Sequence, residues 1–159
     1  MEYIVAPWRG KYLQEGICKK ECFLCEAGRA EDLASRFILA QNPRTVVLLN
    51  LYPYTGGHIL IAPKEHISSP LLASPGLLAE IQEQALRVIK ILEESYHPHG
   101  FNVGMNIGRA AGAGVPDHFH LHIVPRWEGD ANFMPLLGEV KVMFEGVEQT
   151  YQRLRPFFS

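Results

Sequence analysis

The chain of 159 residues is poor in several things that would name a function directly. It lacks a basic excess: 15 Lys and Arg stand against 17 Asp and Glu, for a net charge of −2. A surface for a nucleic-acid polymer or an anionic membrane normally shows as basic runs or a positive balance, so both partners are excluded as expectations. It lacks long apolar runs: the start, MEYIVAPWRGKY, has no uninterrupted stretch of the ~7–15 residues of a signal peptide, and no segment reaches the ~18 of a membrane span. The expected location is the cytoplasm. Internal repeats, low-complexity tracts and long linkers are also missing, so residues 1–159 read as one domain with an N-terminal extension over 1–27. Three cysteines are too few, and odd in number, for a disulfide framework, and a domain of this size does not need one for its core.

Histidine is what the chain has in surplus. Of seven, His58, His66, His118, His120 and His122 could cluster, while His97 and His99 flank Pro98 and read as turn residues. Cys22 and Cys25 form a CxxC, with Cys18 outside it and without a role.

The hydropathy pattern predicts α+β. Strands are expected at Ser35–Gln41 and Thr45–Leu51, joined across Asn42-Pro43-Arg44, and a third at His58–Ala62. Leu78, Ile81, Ala85, Val88, Ile89 and Leu92 recur at spacings of three and four and predict an amphipathic helix from Pro75 to about Tyr96. Alternation predicts further strands at Phe101–Ile107 and His118–Val124, with a loop from Arg109 to Asp117 between them and a short helix over Val147–Phe157. The whole suggests an antiparallel sheet with helices packed on it.

In Asp117-His118-Phe119-His120-Leu121-His122-Ile123-Val124 the polar and apolar residues alternate. At strand period the three imidazoles share one face. Neighbours would lie ~6.6–7 Å apart and the outer pair ~13 Å, too far for all three to ligate one ion, so divided roles are favoured over a three-histidine catalytic metal site.

These residues carry a family resemblance. HFHLHIV (118–124) resembles the signature of the histidine triad superfamily of nucleotide hydrolases and transferases. Asn50 through Gly56-Gly57-His58 to Pro63-Lys64-Glu65-His66 is similar to its first nucleotide-binding stretch. His118 through Pro125-Arg126-Trp127 to Asp130 and Phe133 resembles the diadenosine tetraphosphate phosphorylase-like branch, and the likeness covers roughly residues 7–135. It implies a sheet of about five antiparallel strands, usually in a homodimer. It implies that His120 is the nucleophile, attacking the α-phosphorus of a nucleoside phosphate to give a nucleotidyl-histidine. His122 would contact the phosphates or help protonate the leaving group, and His58 would fix the imidazole network. Nucleotide contacts are implied at Asn50, Asn106 and Trp127.

The loop before the triad adds backbone donors at Gly114 and Val115. Gly114 replaces a glutamine that many members carry four residues before the first triad histidine, so any phosphate contact there must come from the backbone. His122 at the third position tilts toward hydrolysis, and the Pro125-Arg126-Trp127 flank tilts toward phosphorolysis. The resemblance further implies a structural zinc on Cys22, Cys25, His66 and His118, which makes His118 a ligand and closes the metal to substrate. A binding module with little turnover, and a zinc hydrolase with its metal on the triad, are the rival readings.

Overall fold

The computed structural model describes residues 22–130 and 143–158. Cys18, most of the N-terminal extension, and Phe133 at the end of the phosphorylase-like stretch lie outside these residues. Helix α1 (Phe23–Arg29) is followed by strands β1 (Ile38–Gln41), β2 (Thr45–Leu49) and β3 (Ile59–Pro63). Helix α2 (Pro75–Tyr96), strands β4 (Gly100–Met105) and β5 (Leu121–Arg126), and helix α3 (Val147–Leu154) complete the order. The strands form one antiparallel sheet of five, in the order β1-β2-β3-β5-β4. The expected α+β architecture, with one long helix and a short C-terminal one, is therefore present. Among the described residues no helix is long and apolar enough to cross a membrane.

The two faces of the sheet are covered unequally, and this places the site. On one face Leu77, Ile81, Ala85, Val88 and Leu92 of α2 bury against Val47, Leu49, Ile59, Ile61, Leu121 and Ile123, with Leu154 and Phe158 closing the end. Ser74 caps α2 by accepting the Leu77 amide, and His97, at φ 46° in the left-handed region, ends it. The phase of α2 differs by one residue from the sequence reading at its start: Leu77 is buried and Leu78 exposed. On the other face, Leu24 and Ala27 of α1 pack on Ile38, Val46, Leu48, Leu60 and Ala62, which belong to β1, β2 and β3. Over β5 and β4 that second face has no such apolar cover among the described residues.

Strand boundaries differ from expectation: β4 runs from Gly100 to Met105 rather than from Phe101 to Ile107, β5 extends to Arg126, and three further differences have identifiable reasons. β1 starts at Ile38 because a 3-10 turn occupies Ala34–Arg36 and Phe37 sits at φ 53°. β2 ends at Leu49, after which Asn50 begins the turn that returns the chain to His58. The last triad strand starts at Leu121, and the chain from His118 to His120 precedes it outside the ladder. The β3–β5 register pairs Ile59 with Ile123 and Ile61 with Leu121, and the even positions of β3 bond toward β2, so the next β3 residue whose backbone faces β5 is Pro63. Proline has no N–H to donate, and the ladder stops there. α1 was not foreseen in the sequence at all: it is only seven residues long, and propensity alone does not sustain a helix that short.

Leu24 is completely buried and joins α1 to the sheet. Leu24→Ala should lower unfolding free energy by about 2–5 kcal/mol, read from the midpoint of a urea transition. An unchanged midpoint would mean that α1 is not part of the folded unit.

Candidate active site and metal centre

The five histidines that could cluster form two groups. His66 and His118 meet edge to face, with ring centroids 5.1 Å apart, beside the cysteine pair. His58, His122 and His120 form a second group, with centroids 5.2 Å apart for His58 and His122 and 4.8 Å for His120 and His122. Because Leu60 lies opposite His122 in the ladder, this group shares the α1 face of the sheet, over the part that α1 leaves open.

The hydrogen bonds assign each ring a tautomer. The amide of Tyr54 donates to His58 Nδ1 at 3.0 Å, and Asn50 Nδ2 approaches the same nitrogen at 3.3 Å. His58 Nδ1 is thus an acceptor, and its proton is on Nε2. That nitrogen lies 2.9 Å from His122 Nδ1 and donates to it. His122 in turn carries its proton on Nε2, which is buried and has no partner among the described residues. His120 Nδ1 lies 3.0 Å from the carbonyl of His118, so Nδ1–H donates and the lone pair is on Nε2. His118 Nε2 lies 2.9 Å from the carbonyl of Pro63, so it donates there and turns its Nδ1 lone pair away.

Burial pushes His122 down to about 4, with the adjacent His120 adding to the shift. Burial also lowers His120 and His118, opposed in each by the backbone carbonyl it bonds. All three rings are neutral at neutral pH.

The His118 lone pair points at thiols. His118 Nδ1 lies 3.3 Å from Cys22 Sγ and 3.5 Å from Cys25 Sγ, and His66 Nδ1 lies 3.2 Å from Cys25 Sγ. One donor atom from each of the four residues falls within 4.8 Å of the others, so the group could hold a metal ion. Cys22 is the residue before α1 and Cys25 lies in its first turn, which aims both thiols at the end of β3. The CxxC therefore does open a helix, as a redox pair would, but its sulfurs face imidazoles.

The open part of the sheet forms a cavity of about 490 Å³ lined by Tyr54, Thr55, Asn102, Gly104, Asn106 and His122, with Arg126 and Asp130 at its far end. Asn106 is where the sequence reading placed a nucleotide contact. Gly114 and Val115 lie in the loop that leads into His118, and Gly112, at φ 79°, turns that loop. The amides of Ala111, Gly112 and Ala113 are spent inside the loop, whereas among the described residues those of Gly114 and Val115 take no protein acceptor. Asn50 is placed behind His58 rather than at the cavity, with its Oδ1 accepting the Tyr52 amide. Trp127 packs edge-on against Tyr96 and Phe144, away from the cavity lining. The sequence reading missed Tyr54, whose ring stacks on His122 at 6.0 Å and 11°. Its backbone amide, which fixes His58, leaves no signal in a sequence.

Residues 32–129 match the family model for the HIT domain. The chain belongs to the HIT domain family. It is 36% identical over 117 residues to an AP-4-A phosphorylase of Mycobacterium tuberculosis, a match covering 74% of this chain and 60% of that protein. The chain thus aligns with somewhat over half the length of that relative. Among solved structures, a Zn-bound histidine triad family protein from Mycobacterium smegmatis superposes with a TM-score of 0.68 at 26% identity, over 87% of this chain and 93% of that one. Plasmodium falciparum diadenosine triphosphate hydrolase superposes at 0.62 and 19% identity, over 77% and 74% of the two chains, and shows the fold alone.

The buried neutral rings make HIT-domain stability depend on pH. Above about 6.5, His122 is neutral in both folded and unfolded chains and contributes no slope. Between about 6.5 and 4 the unfolded chain takes up a proton that folded His122, faced by His58, His120 and Tyr54, does not, so stability falls as pH falls. Urea midpoints across this range should decline more steeply for the wild type than for His122→Gln. Equal slopes would show that His122 titrates normally in the folded state.

Proposed function

We propose that this protein is a nucleotidyl-histidine enzyme acting on dinucleoside polyphosphates such as diadenosine tetraphosphate, with inorganic phosphate as the second acceptor. The observation that carries the reading is the ordered set of tautomers, which leaves a lone pair on His120 Nε2 and a buried N–H on His122 Nε2. His120 Nε2 attacks the α-phosphorus, a P–N bond forms, and the P–O bond to the β-phosphate breaks. The electron pair leaves on the departing polyphosphate. That group is a stable anion and needs no proton, so His122 serves it as a hydrogen-bond donor rather than as an acid. The amides of Gly114 and Val115 and the side chain of Asn106 hold the phosphoryl oxygens, with no glutamine needed in the loop.

The second step follows from the same tautomer. His122 offers the incoming nucleophile an N–H, not a lone pair, and so is a poor base for water. Inorganic phosphate arrives already anionic and attacks without a base, in the reverse sense of the first step. The P–N bond breaks, a new P–O bond forms, and a nucleoside diphosphate is released. The AP-4-A phosphorylase relative agrees with this direction.

The four-residue Cys/His group fits zinc. Tetrahedral Zn–S and Zn–N bonds of about 2.3 and 2.0 Å put ligand atoms roughly 3.3–3.8 Å apart, close to the observed 3.2, 3.3 and 3.5 Å contacts. The Nε2–H bond from His118 to the Pro63 carbonyl holds the ring as a metal ligand needs it. Four protein ligands leave zinc no open position, so it would pin α1 to the end of β3 and take no part in the chemistry. A homodimer completes the reading: among the described residues β4 has no strand on its outer side, and Val103 on it and Ile107 just beyond its end are each 49% exposed.

Incubation with diadenosine tetraphosphate and phosphate should yield ADP and ATP, and His120→Ala should lower the rate on the order of a thousandfold or more. AMP as the main product in the presence of phosphate would make the enzyme a hydrolase. Full activity of His120→Ala would end the nucleotidyl-histidine mechanism. In metal analysis the wild type should hold about one zinc per chain, and Cys22→Ser should lose it together with thermal stability. Unchanged zinc content in Cys22→Ser would place the metal elsewhere.

A further inference from the structure

The cavity beside His122 is larger than the phosphate chemistry requires, and its floor is unusual. In the β4–β5 ladder Gly104 lies opposite His122, Asn102 opposite Val124 and Gly100 opposite Arg126. On that face β4 therefore carries glycine, asparagine and glycine, of which Asn102 and Gly104 line the cavity, with Val103 and Met105 of the same strand also at its wall. Neither glycine has a positive φ, so backbone conformation does not call for it, and a Cβ at either position would meet nothing within 4 Å. Glycine weakens a strand interior, and here it keeps the space above β4 empty.

The far end of that space is polar without being charged. Arg126 is gripped by both Asp130 oxygens, at 2.6 and 2.7 Å, and donates to Asn102 Oδ1 at 2.7 Å. With its charge balanced by Asp130 and three of its five N–H donors engaged, Arg126 is a poor clamp for another phosphate group. The rim presents neutral donors and acceptors, which suit the edge of a base or the hydroxyls of a ribose. Tyr54 supplies an exposed aromatic wall at the His122 end. From His122 to Arg126 the strand runs about 13 Å, and 490 Å³ lies within the roughly 300–1,000 Å³ of small-molecule sites.

The side of the reaction that this cavity serves follows from its lining. It touches His122 and not His120. Phosphoryl displacement runs in line, so the departing group leaves on the side away from the nucleophile. We infer that the cavity floor from Asn102 to Gly104 seats the nucleoside of the leaving group, and that Gly104 sets the preference for dinucleoside over mononucleoside substrates. The inference rests on nucleotidyl transfer to His120 as proposed above.

The test compares two substrates that deliver the same adenylyl group, diadenosine tetraphosphate and adenosine 5′-fluorophosphate, whose leaving group is fluoride and carries no nucleoside. Gly104→Leu should lower kcat/KM for the dinucleotide by about tenfold or more while changing the fluoride reaction by less than about twofold. Gly100→Leu, on the same face of β4 but beyond the cavity lining, should leave both reactions within about twofold, which separates filling of the cavity from loss of a strand glycine. Equal losses on both substrates in Gly104→Leu, an unchanged ratio there, or the same change of ratio in Gly100→Leu, would overturn the inference while leaving the His120 chemistry standing. Failure of the wild type to turn over either substrate would overturn both.

Discussion

The 2.9 Å contact from His58 to His122 is the interaction on which the site depends. A neutral imidazole has one proton to place, and its neighbours decide where. Here the decision starts in the backbone: the Tyr54 amide occupies one nitrogen of His58, which sends the proton to the other, and His122 receives the bond and keeps its own proton on a buried Nε2 without a partner among the described residues. His120 is set independently by a carbonyl two residues back. The result is a lone pair and an N–H on adjacent rings with centroids 4.8 Å apart. Both are defined by the protein's own hydrogen bonds before any ligand arrives.

Pro63 links this site to the cysteine pair. By ending the β3–β5 ladder it releases the chain from His118 to His120, and its carbonyl, with no β5 partner in the ladder, accepts the His118 Nε2–H. That single bond aims His118 Nδ1 at Cys22 and Cys25 while His120, two residues on, remains with the imidazole group. Three histidines in one short segment thereby serve two centres. The uneven cover of the sheet completes the division, since α1 closes β1, β2 and β3 and leaves β5 and β4 open.

Much of this was readable in the chain. The alternation from His118 to Ile123 put the three imidazoles on one face and Phe119, Leu121 and Ile123 in the core, where they are. The strand spacing also argued for divided roles, and the ligand group implied by the family resemblance is the one whose donor atoms converge. What could not be read depends on atoms that the side-chain pattern does not encode. The Tyr54 amide, the Pro63 carbonyl and the left-handed Phe37 are backbone features. The one-residue phase error at Leu77 and Leu78 arose because both are leucine and periodicity alone could not choose between them. The cavity is a consequence of how far α1 reaches across the sheet, which only tertiary packing determines.

The central claim is that the protons of His58, His120 and His122 are placed as described. Long-range nitrogen–proton correlation spectra of histidine-labelled protein at neutral pH report the tautomer of each ring directly, with single His→Gln variants assigning the signals. The account predicts neutral rings throughout, protonated on Nε2 in His58 and His122 and on Nδ1 in His120. A His122 ring protonated on Nδ1, or a cationic ring at either His120 or His122, would contradict it.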